Sequence, residues 1–481
     1  MIGPKPSGMK NFVWGRDCVS YNTPAEHVPR LKGTCLGAGG RHRGHGIKAK
    51  ASMAQRTSLS RRGFLRGVAA AAVPAIVPAS VFGAGAPSSR IAVGCIGVGR
   101  MGMVDLKSIM GSRGVQIVAV CDVDSNRMNA ARSYVNARTG TTGCGAHGDF
   151  RDLTARDDID AVQIATPDHW HALPAVAAAR AGKDVFVQKP LTLTIAEGRV
   201  LSDTIRRYGR VLQVGSQQRS DRRFRFACEL VRNGRIGKLH TVKVGISGDP
   251  ACGPQPVMPV PENLNYEMWL GPAPMAPYTQ ARVHPQKGYG RPGWLRIRDY
   301  GAGMITGWGA HHMDIAHWGM GAERSGPLAV EGRAQFPADG LWDVHGAFGI
   351  DYLYAGGVRL NCSNRHPNGV RFEGADGWVF VSRGRIDAGP KSLLKSVIGP
   401  SEVHLYKSPN HKANFLDCIR SRRRTVAPVE IGHRSCTACL LGDMAMRTGR
   451  KLKWDPKTER FSDDDQANGM LDRAMRAPWR L

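Results

Sequence analysis

Hydrophobic residues between positions 90 and 215 fall in short continuous runs separated by longer segments of mixed polarity. Five runs are typical of strands buried on both faces: 91–96, 115–121, 161–165, 185–188 and 211–214. Three intervening segments are predicted to be helices: 101–110, 173–181 and 195–208. Apolar strands that alternate with helices predict an α/β fold with a doubly wound parallel sheet of the Rossmann type.

From about Leu239 onward the pattern changes to long segments in which polar and apolar residues alternate with period two. Four such segments, separated by turn residues, predict antiparallel strands: 240–247, 328–336, 343–364 and 369–388. Helices are expected near Trp308 and at 411–422 and 433–449. This second part is therefore predicted to be an α/β domain with an open, mainly antiparallel sheet. The predicted boundaries are 87–215 for the parallel-sheet domain and 216–460 for the second domain. Residues 461–481 are predicted to be a C-terminal tail that forms a loop or an arm on another surface.

The N-terminal region carries the three parts of an export signal. Residues 60–65 (SRRGFL) have the twin-arginine pattern, an apolar stretch follows at 68–82, and residues 84–86 are small. The apolar stretch is shorter than the roughly 20 residues that a membrane-spanning helix needs, so no stable span is expected. The alternative is a buried N-terminal helix, which Pro74 and Pro78 disfavour.

Residues 1–52 are rich in glycine and arginine, have no periodic apolar pattern and precede a methionine, Met53, that would make a normal start. We therefore expect residues 1–52 to be disordered or to precede the true start codon and so to be untranslated. Residues 53–86 are expected to be a twin-arginine signal peptide. The predicted location is the periplasm, or the cytoplasm if the signal is not used. The twin-arginine route exports proteins that have already folded.

The formal net charge of +28 does not by itself identify a partner class. Nucleic acid is not an expected partner, since no nucleic-acid-binding motif accompanies the arginine clusters at 219–225 and 420–424. Attraction of an anionic substrate or polysaccharide, or simple solvation of the arginines, accounts for the charge. Cys436-x-x-Cys439 lacks a second cysteine pair and lies in an apolar helical run, so we expect core packing there and no metal.

A dinucleotide-binding fingerprint, Gly97-x-Gly99-x-x-Gly102, follows the first predicted strand and opens a predicted helix. The three glycines permit a tight turn, a close approach to the pyrophosphate and close packing of helix on strand, and the helix N-terminus faces the phosphates. Asp122 ends the second strand and is expected to bind the ribose hydroxyls, which favours NAD over NADP because a carboxylate repels a 2′-phosphate. The predicted cofactor residues of this loop are Gly97, Gly99, Arg100, Met101 and Gly102.

Over residues 90–460 the chain resembles the Gfo/Idh/MocA oxidoreductases, named after glucose–fructose oxidoreductase, inositol dehydrogenase and a rhizopine-catabolism protein. The resemblance rests on five motifs: IGVGRMG (96–102), CDVD (121–124), ATPDHWH (165–171), VQKPLT (187–192) and GAGMITGWGAHHMDIAHWG (301–319). It implies an NAD(P)-binding Rossmann domain, a second domain with an open antiparallel sheet, and oxidation at a sugar or polyol carbon.

The resemblance also implies roles for individual residues. Lys189 matches the lysine of a Glu-Lys-Pro motif beside the nicotinamide, where it would bind the reacting hydroxyl, although Gln188 replaces the glutamate. His311 matches the catalytic histidine. The family commonly has an aspartate four residues earlier, where this chain has Gly307, so the acid–base pair is incomplete. Three residues match the segment beside the nicotinamide ribose: Thr166, Pro167 and His171. Pro190 is expected to follow a cis peptide bond.

Four further residues near this helix are predicted to lie at the substrate edge or to pack the helix: Tyr300, Trp308, His312 and Asp314. The aromatic residues could stack on a sugar ring, although such residues near a helix are more often part of a core. No metal is expected, because His311 and His317 are six residues apart and do not face one another.

The main functional prediction is an NAD(P)-dependent oxidoreductase that acts on a sugar, polyol or glycoside hydroxyl. One alternative is a redox-neutral enzyme that oxidises a glycoside, eliminates the leaving group and reduces the product again. The other is a non-catalytic sugar-binding protein, suggested by Gly307. The long Pro- and Gly-rich connection at 250–300 could cover the cofactor or reach a partner subunit, and a homo-oligomer, either a dimer or a tetramer, is expected.

Overall fold

A computed structural model of the chain describes residues 90–481. The predicted signal peptide at 53–86 and the preceding residues 1–52 lie outside the described residues. In the part of the chain that is described, no helix combines the length and the apolar character needed to cross a bilayer.

The first sheet has six strands, all parallel, in the order β3-β2-β1-β4-β5-β6. Their bounds are β1 (Ile91–Ile96), β2 (Val115–Cys121), β3 (Gly145–His147), β4 (Ala161–Ile164), β5 (Asp184–Val187) and β6 (Leu212–Val214). The helices between them are α1 (Arg100–Met110), α2 (Ser125–Thr139), α3 (Phe150–Thr154), α4 (Ala172–Arg180) and α5 (Ile195–Arg207). The predicted doubly wound sheet is confirmed. The strand β1 lies at its centre, and the strand order reverses between β1 and β4.

Local sequence explains where these helices begin. The Asp124 carboxylate accepts hydrogen bonds from the backbone N–H groups of Asn126 and Arg127 and so caps α2. A capping box opens α5, since the Thr194 side chain accepts from the Glu197 N–H and the Glu197 carboxylate accepts from the Thr194 N–H. Both caps place a helix N-terminus at the carboxyl edge of the sheet, where a ligand can approach.

The second domain contains a nine-stranded sheet in the order β13-β12-β11-β7-β10-β9-β8-β14-β15. Only the β7–β10 pair is parallel among its described ladders, so the predicted mainly antiparallel sheet is confirmed. Its strands are β7 (Leu239–Gly245), β8 (Ala329–Ala334), β9 (Phe348–Leu353), β10 (Arg359–Ser363), β11 (Gly369–Gly374), β12 (Gly377–Ser382), β13 (Arg385–Gly389), β14 (Leu452–Asp455) and β15 (Arg460–Phe461).

Seven helices accompany this sheet or connect it to the first domain. They are α6 (Arg222–Arg232), α7 (Tyr266–Leu270), α8 (Met304–Gly307), α9 (Gly309–Met320), α10 (His411–Ser421), α11 (Val429–Thr448) and α12 (Asp465–Gly469). The core of this half is continuous with the core around α5 of the first domain. Cys436 and Cys439 are buried in α11 within that core.

Helix α10 departs from the predicted division of the chain. It follows the second sheet in sequence, yet it packs on the first: the Phe415 ring lies 5.7 Å from that of Phe186 in β5, edge to face. Phe415, Leu416 and Cys418 share one buried cluster with β1 and β2. The chain therefore returns to the cofactor domain after completing the second sheet, which a reading of polarity along the sequence does not predict.

The C-terminal tail folds back onto its own chain. Trp479 stacks edge to face on Trp170 at 4.8 Å between ring centroids. Arg473 forms an ion pair of 2.7 Å with Glu197 of α5, and Arg476 donates to the backbone carbonyls of Gly271 and Ala273. The tail thus joins the Rossmann domain to the 250–300 connection.

Candidate active site

A cavity of about 910 Å³ opens at the carboxyl edge of the parallel sheet, below the second domain. Ligands of doubly wound sheets bind at this edge, next to the point where strand order reverses. Eleven residues singled out from the sequence line it together: Gly97, Gly99, Arg100, Met101, Asp122, Thr166, Pro167, His171, Lys189, Trp308 and His311. The predicted cofactor and catalytic residues thus meet in one cavity, although they come from both domains.

The glycine loop has the geometry that the sequence predicts. Gly97 has a φ of +76°, and a Cβ atom there would lie 2.8 Å from the backbone nitrogen of Thr166. A Cβ at Gly102 would lie 1.9 Å from the Gly97 carbonyl oxygen, so only glycine lets α1 pack this closely on the loop. Gly102 therefore shapes the cavity without lining it.

Asp122 faces the cavity from the end of β2. One carboxylate oxygen accepts the Val98 N–H at 2.9 Å and the other accepts the Asp124 N–H at 3.0 Å. A carboxylate can accept about four hydrogen bonds, so these contacts fix its orientation and leave acceptor capacity for ribose hydroxyls. Burial raises the pKa of Asp122, opposed by these two backbone hydrogen bonds.

Lys189 crosses the cavity to the second domain. Its Nζ donates a hydrogen bond of 2.7 Å to the backbone carbonyl of Gly307, at the end of α8. The Lys189–Pro190 peptide bond is cis, as predicted. Burial lowers the pKa of Lys189, and the nearby Asp168 carboxylate opposes this shift. A lysine with a lowered pKa can exchange a proton near neutral pH.

Asp168 is a site residue that the sequence reading missed, although it lies inside the ATPDHWH motif. Its side chain is 3% exposed and lines the cavity next to Lys189, and it makes no hydrogen bond to any residue between 90 and 481. Burial raises the pKa of Asp168, opposed by the charge of Lys189. Burial thus acts on each group in favour of its uncharged form, and the charge of the other group opposes that shift.

His311 is a buried, neutral imidazole beside this pair. It lines the cavity from the first turn of α9, with its ring 5.6 Å from that of Trp308 and edge to face. Its Nδ1 is buried without a partner among the described residues. Burial lowers the pKa of His311 well below its usual range, and the charges of Lys189 and Arg383 add to this. A neutral imidazole can accept a proton.

His171 and Thr166 hold the strand-end segment in place. The two ring nitrogens of His171 lie 2.7 Å from the Pro190 carbonyl oxygen and 3.0 Å from that of Thr166. His171 therefore ties the end of β4 to the turn that carries Lys189. Burial lowers the pKa of His171 to about 4, so it contributes a neutral ring. The Thr166 hydroxyl is buried and lacks a partner within residues 90–481.

Gln188 belongs to a buried polar network behind Lys189. Its Nε2 donates to Asp105 at 2.6 Å, and the other carboxylate oxygen of Asp105 lies 2.8 Å from the Lys412 Nζ. Burial lowers the pKa of Lys412 to about 8, opposed by Asp105. Because Lys412 comes from α10, this charge pair fastens the returning helix to α1. No motif in the sequence links residues so far apart.

Gly307 leaves space where the family commonly has an aspartate. A Cβ atom at this position would meet nothing within 4 Å, and the residue lines the cavity. The site therefore lacks a carboxylate here and is wider at the point where Lys189 reaches the second domain.

Of the four residues predicted to lie at the substrate edge or to pack the helix, three do not line the cavity and pack inside the protein: Tyr300, His312 and Asp314. Tyr300 is fully buried in an aromatic cluster, 4.9 Å from the Trp269 ring. The Nε2 of His312 lies 2.7 Å from the Asn368 side chain. Asp314 forms a buried ion pair with Arg219 at 2.6 Å. The period of α9 turns His312 and Asp314 into the protein, and of the four residues Trp308 is the one that lines the cavity.

The 250–300 connection covers one end of the cavity. We call residues 263–295 the cover segment. Its His284 Nε2 lies 2.9 Å from the Asp124 carboxylate, which also accepts from Asn263 at 2.8 Å. Arg127 of α2 donates to the Pro285 carbonyl at 2.9 Å. The cover segment is therefore fastened to the residues that surround Asp122.

These features fit a bound dinucleotide. Backbone atoms leave no room for a Cβ atom at Gly97 or Gly102, the Thr166 hydroxyl has no protein partner among the described residues, and Asp122 keeps free acceptor capacity. Within residues 90–481, no cluster of three or more histidine, cysteine or acidic side chains is arranged to hold a metal ion.

Sequence models of one family match both halves of the chain. Residues 91–216 match "Oxidoreductase family, NAD-binding Rossmann fold", and residues 247–481 match "Oxidoreductase family, C-terminal alpha/beta domain". The chain belongs to the Gfo/Idh/MocA oxidoreductase family. The resemblance inferred from the five motifs is confirmed, and the Rossmann domain is the NAD-binding domain of the family.

The curated relatives match over part of the chain. A glycosyl hydrolase family 109 protein of Shewanella putrefaciens is 34% identical over 164 residues, covering 33% of this chain and 36% of the relative. Myo-inositol 2-dehydrogenase of Thermotoga maritima is 28% identical over 186 residues, covering 39% and 54%. The chain thus spans about half or less of the length of these relatives.

A solved structure shares the fold over nearly its whole length. The WlbA dehydrogenase from Bordetella pertussis, solved with NADH and UDP-GlcNAcA, has a TM-score of 0.56 at 18% identity. The match covers 76% of this chain and 98% of WlbA. At this identity the likeness establishes the two-domain fold.

Proposed function

We propose that this protein is an NAD-dependent oxidoreductase that oxidises a CH–OH group of a sugar, polyol or glycoside. One observation carries the proposal: Lys189 and His311, from different domains, line the same cavity as the glycine loop and Asp122. The similarity to myo-inositol 2-dehydrogenase supports a hydroxylated substrate. Substrate and carbon remain open within this class.

The residues of the chain would divide the work as follows. The loop from Gly97 to Met101 and Asp122 would hold the dinucleotide, and Thr166 and Pro167 would lie beside its nicotinamide ribose. When bound, NAD supplies an acceptor for the hydrogen and electron pair that leave the substrate carbon.

Proton removal falls to the protein. Lys189 is held by the Gly307 carbonyl and burial lowers its pKa, so its amine can bind the reacting hydroxyl and accept its proton. His311, neutral and unpartnered at Nδ1 among the described residues, offers a second proton acceptor in the same cavity. Where Gly307 supplies no carboxylate, the acidic group that acts on Lys189 from within the cavity is Asp168 of the Rossmann domain.

The first test is identification of the cofactor in the purified protein by absorbance and mass spectrometry. The second is a panel of sugars, polyols and glycosides, followed by the absorbance of NADH. Lys189→Met is the matched control, since it keeps the length of the side chain and removes the amine. The proposal would be contradicted if no compound of the panel led to reduction of NAD and the Lys189→Met variant behaved like the unchanged protein.

A redox-neutral cleavage of glycosides is the second candidate, favoured by the cover segment. A cofactor enclosed by contacts such as those of His284 and Arg127 is suited to many turnovers without exchange. The similarity to a glycosyl hydrolase family 109 protein supports the same idea. The experiment is to give desalted enzyme a glycoside without added NAD. Sustained product supports the cycle, whereas one stoichiometric burst that resumes only with added NAD supports the dehydrogenase.

We also propose export by the twin-arginine route and assembly as a homo-oligomer. The pattern SRRGFL at 60–65 supports the first. Replacing Arg61 and Arg62 by lysines should trap the protein in the cytoplasm, measured by cell fractionation against the unchanged chain. Sedimentation of the purified protein tests the second.

A further inference from the structure

Arg383 is an arginine of the cavity whose guanidinium is held over an aromatic ring and not by an acidic partner among the described residues. Arg383 lies in the turn between β12 and β13 and lines the cavity together with Trp308 and His311. Among residues 90–481 it forms no ion pair and donates no hydrogen bond, whereas its neighbour in the same hairpin, Arg385, pairs with Asp387 at 3.0 Å. Both residues are exposed overall, but of the two it is Arg383 that lines the cavity.

Trp308 fixes the position of this guanidinium. The Arg383 Cζ lies over the indole, 4.5 Å from its centroid. The indole is itself held, because its Nε1 donates to the Asn368 side chain at 2.9 Å. The His311 ring lies 5.6 Å from the indole, edge to face. Arg383 is thus a positioned cation next to the candidate proton acceptor.

No acidic side chain among residues 90–481 lies within ion-pair distance of the Arg383 guanidinium. Asp105, which lines the cavity, pairs with Lys412 at 2.8 Å. The acid whose charge acts on Arg383 is Asp221, and it does so only at longer range, since its carboxylate pairs with Arg223 at 3.6 Å. Because burial costs the Arg383 guanidinium hydration that no direct ion pair replaces, an anionic ligand would be stabilised there.

We infer that the substrate is a sugar acid whose carboxylate is bound by Arg383 against Trp308, an inference that rests on the proposed oxidoreductase function. A guanidinium that lies on an aromatic face presents its N–H groups at its edge, and this planar fork matches a carboxylate bidentately. Because Arg383 lies 4.5 Å and His311 5.6 Å from the Trp308 ring centre, we place the bound carboxylate and the oxidised hydroxyl on the same sugar unit.

The experiment uses the NAD-loaded protein and measures binding by calorimetry and turnover in parallel. The probes are D-glucuronate and D-galacturonate against their neutral counterparts D-glucose and D-galactose, with glucose 6-phosphate as a further anion. The variants are Arg383→Gln, which removes the charge, and Arg383→Lys, which keeps the charge without the fork. Arg385→Gln is the matched control, because it alters an exposed arginine of the same hairpin.

We expect the unchanged protein to bind at least one uronate about tenfold or more tightly than the neutral sugar. The ratio of kcat/KM for acid over neutral sugar should fall roughly 10- to 100-fold in Arg383→Gln, the range for a lost charge-assisted hydrogen bond. Arg383→Lys should lie between, and Arg385→Gln should match the unchanged protein. Affinity for NAD, measured on each variant, reports whether it is folded.

Equal binding of uronates and neutral sugars by the unchanged protein would overturn the inference. So would an unaltered preference in folded Arg383→Gln, or tighter binding of glucose 6-phosphate than of either uronate. Failure of the proposed oxidoreductase function would give another result, in which NAD is reduced in the presence of none of the probes. Calorimetry would still show in that case whether Arg383 binds carboxylates selectively.

Discussion

The Lys189 amine donates its hydrogen bond to the Gly307 carbonyl oxygen, at 2.7 Å, and so joins the end of β5 to the end of α8. A lysine of the cofactor domain is thereby positioned by the backbone of the substrate domain, at the residue where the family commonly has an acid. The carbonyl orients the amine without adding a full negative charge. Asp168, from the strand-end segment, is the acidic group that remains to tune it.

Lys189→Ala should lower turnover by roughly 10²-fold or more, the usual scale for a general acid–base group, because it removes the amine that binds the reacting hydroxyl. NAD affinity should change little, since the glycine loop and Asp122 are untouched. Steady-state kinetics together with an NAD titration provide the test. Normal turnover would place the chemistry elsewhere in the cavity.

His311→Asn should likewise lower turnover by roughly 10²-fold, because the neutral imidazole at the cavity is lost. The matched control is the adjacent His312→Asn, which alters a histidine that contacts Asn368 and does not line the cavity. We expect the control to lose far less activity. Equal losses in both variants, measured at equal folded fraction, would show that the position is structural.

Asp122→Ala should weaken NAD binding and reduce discrimination against NADP. The carboxylate is oriented by the N–H groups of Val98 and Asp124, and its removal eliminates both the ribose acceptor and the repulsion of a 2′-phosphate. Titrating both dinucleotides tests this. Unchanged affinity for both would refute the assignment of Asp122 to the ribose.

His284→Ala should speed the release of NAD roughly tenfold, since it removes the 2.9 Å contact that fastens the cover segment to Asp124. Release is measured as the NAD lost from the loaded protein during repeated desalting. His404→Ala is the control, because that exposed histidine contacts only the Gly399 carbonyl. Equal release rates would indicate that the cover segment does not retain the cofactor.

The sequence was sufficient for the parts of the fold that depend on local pattern. Continuous apolar runs predict β1, β2, β4, β5 and β6, because a strand buried on both faces must be apolar throughout. The short strand β3 and the helix α6 escaped prediction, since three residues carry little pattern and the polar start of α6 resembles a charged surface. Arg219, which belongs to the arginine cluster at 219–225, is not on such a surface. Its side chain is 2% exposed, because Asp314 and Glu323 pair with it.

The site was predictable only where motifs carry it. Lys189 and His311 stand in recognisable segments, whereas Lys412 and Arg383 enter the cavity from elements far along the chain. Their positions depend on the return of α10 to the first sheet and on a hairpin turn, which are tertiary relationships. Asp314 illustrates the opposite error: its closeness to His311 in sequence suggested the site, but the turn of α9 directs it to Arg219.

Gly307→Asp should move the pH dependence of turnover to higher pH. A Cβ atom at this position meets nothing within 4 Å, so the new side chain has room in the cavity. Its carboxylate would lie near the Lys189 amine and raise the pKa of that lysine, which burial now lowers. If the neutral amine accepts the proton, activity rises with pH as the amine loses its charge, and a raised pKa shifts that rise upward. Gly307→Asn, of nearly equal size and without charge, is the matched control and should leave the profile in place. A profile that moves equally in both variants would attribute the effect to filled space, and a shift to lower pH would contradict the role of Lys189 as proton acceptor.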